Sequence, residues 1–157
     1  MPHNRNNILC LAFVVVMFAM TACDRKTIYH GYDHADAVGW EKTDTLLYNT
    51  GKIGESGTFS EEISLRLNGT YPFVNLCMIV EQNLLPANII TFDTLNCKLA
   101  SRQVFFNTNG VSYRHYNFHL KDIELNEGDT LLLRIRHNMM REVLPGIADV
   151  GVKISRN

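Results

Sequence analysis

The chain has 157 residues, 46% of them hydrophobic, with 15 Lys and Arg against 16 Asp and Glu and a formal net charge of −1. This length suits a single domain with a sizeable core. The near-neutral balance argues against a nucleic-acid partner, because phosphate binding needs a basic surface.

The first 22 residues are predicted to be a signal peptide rather than part of the fold. Arg5 supplies a positive charge, and the uncharged run at 8–20 is too short to cross a bilayer as a stable helix. Met20-Thr21-Ala22-Cys23 then resembles the lipobox of bacterial lipoproteins, in which the cysteine thiol is joined to diacylglycerol before cleavage. We therefore expect removal of residues 1–22 and acylation of Cys23, which gives stable anchoring once two or three chains are attached. The alternative is an ordinary secretory signal followed by an incidental cysteine.

The polar segment 23–42 is predicted to be a lipid-anchored tether, and the domain itself is predicted to span 43–157. The metal-ligand side chains of the tether are His30, Asp33, His34 and Asp36. A flexible segment rarely holds ligand geometry, so we expect no metal site there. His115 and His119 share one face of a predicted strand but would lie roughly 13 Å apart, too far for one ion.

From about residue 44 apolar and polar residues alternate, which is typical of half-buried strands. The predicted strands are 45–53, 61–68, 74–82, 88–95, 102–106, 112–120, 130–137 and 150–155. Turn sequences separate these runs, and only 138–144 has a pattern compatible with a short helix. The sequence therefore predicts an all-β fold: a single antiparallel β-sandwich, jelly-roll-like, with about eight strands.

Three Asp-Thr-Leu triplets contain Thr45, Thr94 and Thr130. One interpretation is that they mark strand boundaries. The other is O-glycosylation, because the triplets resemble the Asp-Thr-apolar sequon of exported proteins in the phylum Bacteroidota.

Cys77 and Cys97 are the two cysteines left after signal removal and lipidation. An exported compartment permits a disulfide between them. Both lie in apolar segments, so two buried free thiols are the alternative.

Motifs that would indicate catalysis are missing from the sequence: it has no Gly-x-Ser-x-Gly, no His-Glu-x-x-His and no phosphate loop. Glu61 and Glu62 are adjacent carboxylates, but strand alternation places them on opposite faces. We therefore expect no enzymatic activity, no cofactor and no small-molecule substrate. Trp40 and the tyrosines leave a glycan-binding surface as an alternative function, although Trp40 before the first predicted strand is better explained as a plug over one end of the core.

Two motifs resemble those of a known family. The first motif, similar to an element of that family at the head of a strand, is Tyr71-Pro72-Phe73-Val74-Asn75-Leu76. The second motif is similar to the element that closes the family's domain, and it consists of Met140-Arg141 followed by Leu144-Pro145-Gly146-Ile147-Ala148-Asp149-Val150-Gly151. With the lipobox and the chain length, these motifs resemble the gliding-motility lipoprotein family GldH. The likeness spans essentially the whole mature chain.

The resemblance implies a small envelope lipoprotein of Bacteroidota, associated with surface gliding and the linked type IX secretion system, with no known activity or cofactor. It implies protein partners in the envelope, while gliding itself is not implied because members occur in non-gliding species. Cys23 is not followed by an acidic cluster of the type linked to surface export in this phylum. Its absence favours an outer-membrane location facing the periplasm. The expected partner-binding loop comprises Asn138, Arg141, Glu142, Pro145 and Asp149. The alternative is that these residues only close the end of the sandwich.

Overall fold

The computed structural model describes residues 26–35, 38–99 and 113–157. Within these ranges the chain forms strands and no helix. The strands are β1 (Thr27–His34), β2 (Trp40–Glu41), β3 (Leu46–Lys52), β4 (Gly57–Leu67), β5 (Asn75–Leu85), β6 (Ile89–Lys98), β7 (Arg114–Leu125), β8 (Thr130–His137), β9 (Val143–Leu144) and β10 (Ile147–Arg156). The described residues include no helix that could span a membrane.

Eight long strands form two four-stranded antiparallel sheets, and β2 and β9 pair as a short separate ribbon. The strand orders are β1-β10-β4-β7 in the first sheet and β3-β8-β5-β6 in the second. With the ribbon set aside, successive strands are distributed between the sheets in the order of a jelly roll. The predicted all-β sandwich is confirmed.

The core lies between the sheets, where alternate residues of each strand point inward. The fully buried aliphatic side chains of the long strands include Ile63, Leu65, Leu76, Met78, Val80, Leu133, Ile135, Val150, Val152 and Ile154. Each such side chain contributes roughly 1.5–3 kcal/mol through removal from water. A buried hydrogen bond also joins the sheets, because the Tyr48 hydroxyl donates to the Val150 carbonyl at 2.9 Å.

The sandwich has two ends, which we call the base and the top. The base consists of Lys26, Arg156 and the turns at 53–56, 86–88 and 126–129. The top consists of His34, Tyr71 and the loop at 138–142. At the base, the Arg156 amide donates to the Lys26 carbonyl at 2.6 Å, and the Glu127 amide donates to Ser56 Oγ at 2.8 Å. At the top, the Lys42 amide donates to the Glu142 carbonyl at 2.7 Å.

The prediction of a tether at 23–42 is wrong for Trp40–Glu41, which form β2, and for the polar residues 27–34. They form β1, which pairs antiparallel with β10 from Thr27↔Ser155 to His34↔Asp149. β1 is an edge strand with alternate half-buried and exposed residues. Its inward-facing positions are Tyr29, Gly31 and Asp33 rather than aliphatic residues, so the alternation carried no hydrophobic signal.

Cys77 and Cys97 are free thiols in this structure. They lie on neighbouring strands, but Cys97 pairs in register with Leu76, and Cys77 pairs with Asn96. The one-residue offset points the two thiols to opposite faces of the sheet. Burial raises the pKa of Cys97 to about 12.

Most of the other predicted strands coincide with observed ones. The predicted strand at 130–137 has the bounds of β8, and the one at 61–68 corresponds to a longer β4. The predicted strand at 102–106 lies outside the described residues. The short helix considered for 138–144 is absent, since this segment is a loop that ends in β9.

Candidate interaction surface at the top of the sandwich

The two sequence motifs meet at the top, although about seventy residues separate them in the chain. Gly146 has a positive φ of 82°. A Cβ atom at Gly146 would lie 2.3 Å from the Tyr71 backbone nitrogen, so only glycine permits this approach. The Asn68 amide donates to the Gly146 carbonyl at 2.9 Å, and the Tyr71 hydroxyl donates to the Asn75 carbonyl at 2.8 Å. The motifs therefore fix the shape of one end of the sandwich.

Trp40 closes the core beneath this surface. Its side chain is fully buried, and its Nε1 donates to the Asp44 carbonyl at 3.1 Å. Its ring lies edge-on to the His137 ring with centroids 5.3 Å apart. The interpretation of Trp40 as a plug is thus supported by its burial, which removes it from any sugar-stacking surface.

His137 is buried at the point where the top loop leaves β8. Burial is the largest influence on this ring and lowers its pKa from the usual 6.5, against opposing hydrogen bonds from the backbone. A lowered pKa keeps the imidazole uncharged at neutral pH. The Met139 amide donates to His137 Nδ1 at 3.4 Å, which ties the neutral ring to the loop.

The backbone of the loop at 138–142 is hydrogen-bonded, and its side chains are exposed except for that of Met139. The Asn138 amide donates to the Cys77 carbonyl at 2.8 Å, and the Glu142 carbonyl accepts from Lys42. Met139 packs against the core, whereas Met140 is 99% exposed. Exposed side chains on a fixed backbone can bind a partner without a large ordering cost.

Among the predicted loop residues, the structure separates Asp149 from the others. Asn138, Arg141 and Glu142 are exposed on the loop, and Pro145 is half-buried just beyond β9. Asp149 is a residue of β10 with only 2% exposure. The predicted loop therefore ends near Gly146, because β10 begins at Ile147.

Asp149 is the centre of an ion-pair row on the outer face of the first sheet. Its carboxylate contacts His34 Nδ1 from β1 and lies 2.7 Å from Arg66 Nε of β4. The Arg66 guanidinium is in turn 4.6 Å above the Tyr113 ring. A buried carboxylate needs such partners, since leaving one unpaired costs several kcal/mol. The row joins three adjacent strands, so we assign Asp149 a structural role.

The histidines do not assemble a metal centre in the described part of the chain. His30 and His34 point outward from β1, whereas Asp33 points inward. Asp36 lies outside the described residues. His119 contacts Ser60 Oγ at 3.1 Å. No group of three or more potential ligands is present among residues 26–35, 38–99 and 113–157.

Glu61 and Glu62 point to opposite faces of β4, as the alternation predicts. Glu61 is fully buried and accepts a hydrogen bond from Gln82 Nε2 at 2.7 Å. Burial raises the pKa of Glu61 to about 7, against the opposing influences of Lys121 and Gln82. Glu62 faces outward, 3.9 Å from Lys153 Nζ. The two carboxyl groups therefore cannot converge on one bond, as glycosidase chemistry requires.

The three candidate glycosylation sites differ in accessibility. Thr94 is exposed on β6, whereas Thr45 and Thr130 are half-buried at the starts of β3 and β8. Modification of these threonines stays a prediction, and Thr94 is the most accessible of the three.

Comparison with known proteins gives a match over most of the chain. Residues 27–154 match the family described as GldH lipoprotein. The gliding motility lipoprotein GldH of Flavobacterium johnsoniae is 23% identical over 167 residues, with 97% of each chain covered.

Among solved structures, a CocE/NonD family hydrolase from Staphylococcus aureus has a TM-score of 0.42 at 8% identity, covering 83% of this chain and 33% of that chain. A family 35 carbohydrate binding module from Clostridium thermocellum has a TM-score of 0.37 at 17% identity, covering 85% of this chain and 94% of that one. Similarities this weak carry no argument about this chain.

Proposed function

The chain belongs to the GldH lipoprotein family, and from this membership we propose that it is a non-catalytic accessory component of the envelope machinery for gliding motility and the associated type IX secretion. Lipid on Cys23 holds the domain at a membrane, and the loop at 138–142 docks a protein partner. We place the anchor in the outer membrane with the domain facing the periplasm.

The length of chain before β1 limits how far the domain can move from its anchor. Cys23 precedes Thr27, the first residue of β1, by four positions, which span at most about 14 Å when fully extended. The base, where β1 begins, is therefore held beside the lipid surface. The ten residues of β10 rise about 30 Å towards the top. Anchoring at one end thus presents the loop at the other end to components above the membrane.

Exposure of the loop side chains on a fixed backbone is the observation that carries this proposal. Arg141 and Glu142 are exposed, and Met140 is almost wholly solvent-accessible. An exposed methionine beside charged residues suits a protein surface, because its flexible thioether adapts to varied partners. The glycan-binding alternative loses its strongest residue, since Trp40 is buried.

The test replaces the loop side chains in the host cell. A variant with Asn138→Ala, Arg141→Ala and Glu142→Ala is compared with a matched control at the base, Lys52→Ala, Asn126→Ala and Glu127→Ala, whose targets are also exposed. We expect the loop variant to lose surface spreading or release of secreted cargo at an unchanged level of membrane-bound protein. The control should behave as the unaltered chain does.

A loop variant that spreads and secretes like the control would contradict the docking site. A photo-crosslinking residue at Met140, compared with one at Glu127, identifies the partner directly. Crosslinks that form equally at both positions would also count against the top as the docking surface.

A further inference from the structure

The turn between β5 and β6 has an apolar surface that the core does not use. No charged residue occurs from Gln82 to Phe92. Ile89 is 54% exposed, Ile90 50% and Phe92 65%. Burying such side chains contributes free energy in proportion to the apolar area removed from water. We infer that this hairpin tip inserts into the membrane interface and forms a second contact with the bilayer beside the lipid anchor.

The position of the tip supports a lipid surface as the occupant. Leu85 pairs in register with Thr130, so the turn at 86–88 lies at the base with the 126–129 turn and Lys26. β1 and β6 are edge strands of different sheets, and they lie at opposite lateral edges of the sandwich. The anchor and the tip are therefore about 15–20 Å apart across the base, from strand and sheet spacings. Two separated contacts would hold the base of the sandwich against the membrane and direct the top away from it.

The directions of the exposed side chains favour lipid over a protein strand or a second copy. Ile89 and Ile90 are consecutive in β6, so they point to opposite faces of the sheet. A partner docked on one face would cover Ile90 and Phe92 but would leave Ile89 exposed. An acyl phase surrounds an inserted tip and covers both faces.

Charged residues mark the depth that the tip can reach. The first charges on either side of the apolar stretch are Glu81 and Asp93. Glu81 Oε1 lies 3.9 Å from Arg134 Nη1, and Asp93 Oδ2 lies 2.6 Å from Lys121 Nζ. An interfacial segment typically buries its apolar face about 5–10 Å deep. This depth brings Ile89 and Ile90 to the acyl boundary and leaves these two ion pairs in the aqueous phase, while Glu127 and Asp129 of the neighbouring base turn lie at the level of the lipid headgroups.

The inference rests on the proposed lipid anchor, and the test separates the two. The full lipidated chain with Ile90→Trp is reconstituted in phosphatidylcholine–phosphatidylglycerol vesicles that have brominated acyl chains. Leu47→Trp is the matched control, because Leu47 is 64% exposed on the same sheet and lies in register with Arg134 and Glu81, above the expected depth of immersion. The natural Trp40 is buried in both variants and supplies the same background emission.

We expect all variants to float with the vesicles, and bromine to quench about half of the added emission of Ile90→Trp, as insertion to the acyl boundary implies. Leu47→Trp should stay unquenched. Flotation without quenching of Ile90→Trp would overturn the hairpin contact while leaving the anchor intact. A blue shift without quenching that grows with protein density would assign the tip to a second copy and likewise overturn it. Failure to float would overturn the anchor and the hairpin contact together.

Discussion

Replacing Glu61 by Gln is expected to stabilise the domain at alkaline pH. Glu61 is a fully buried carboxyl between the sheets, and Gln82 Nε2 donates to it at 2.7 Å. Lys121 lowers its pKa but is itself paired with Asp93 at 2.6 Å. Ionised Glu61 therefore has incomplete compensation for its lost hydration. An amide has nearly the same shape, its oxygen can accept the Gln82 hydrogen bond, and it carries no charge.

The size and sign of the effect follow from the pKa of Glu61. Burial raises this pKa from 4.5 to about 7, and each pKa unit corresponds to about 1.4 kcal/mol, so the penalty for ionisation is about 3 kcal/mol. Because the folded pKa is the higher one, stability from the neutral carboxyl is fully present below pH 4.5 and is lost as the pH rises through 7. Glu61→Gln should match the unaltered chain near pH 4.5 and exceed its stability by about 3 kcal/mol above pH 8.

The assay is urea unfolding at several pH values between 4.5 and 8.5. Both proteins begin at residue 23 and carry Cys23→Ser, so that neither is acylated. The quantity of interest is the difference in the free energy of unfolding, from which other titrating groups cancel. A difference that does not change with pH, or a variant less stable at pH 8, would show that ionisation of Glu61 does not destabilise the fold.

Three further predictions concern the top of the sandwich. Trp40→Ala should lower the free energy of unfolding by about 3–5 kcal/mol, and Trp40→Phe by less; equal losses in urea unfolding would show that the cavity is not the cause. Gly146→Ala should destabilise more than Gly128→Ala, because both glycines have positive φ but only Gly146 has a backbone neighbour, Tyr71, within 4 Å of the added Cβ; thermal unfolding of the pair isolates the steric cost. The pKa of His137 is lowered by burial, so the stability that its neutral form contributes is present above pH 6.5 and is lost as the pH falls below that value. His137→Gln should therefore weaken the fall in the free energy of unfolding below pH 6.5, and urea unfolding that shows the same fall in both proteins would contradict this.

Strands with strong apolar alternation were predictable from the sequence. In β8 every second residue is apolar, and its predicted and observed bounds are the same. In β1 the inward positions are Tyr29, Gly31 and Asp33, and pairing with β10 rather than hydrophobicity makes this segment a strand. Pairing between the two ends of the chain is a long-range property that local patterns do not encode.

The top of the sandwich was only partly predictable. Gly146 and Tyr71 belong to motifs visible in the sequence, but their contact requires the folded backbone. The position of Asp149 directly after the turn residues predicts a loop residue, but Asp149 lies on the outer face of β10, with Arg66 and His34 as ion-pair partners. Alternation predicts that Glu61 and Glu62 lie on opposite faces of their strand, but Gln82, the partner of Glu61, lies on the other sheet and could not be identified from spacing.

Under the proposed function, acyl chains on Cys23 hold this domain at a membrane, and mass spectrometry of the N-terminal peptide can detect them. Protein purified from its own host membrane should yield a peptide that begins at Cys23 and carries the mass of a diacylglyceryl thioether. A free thiol at Cys23, or a mature chain that begins at another residue, would show that acyl chains on Cys23 do not hold the domain at the membrane.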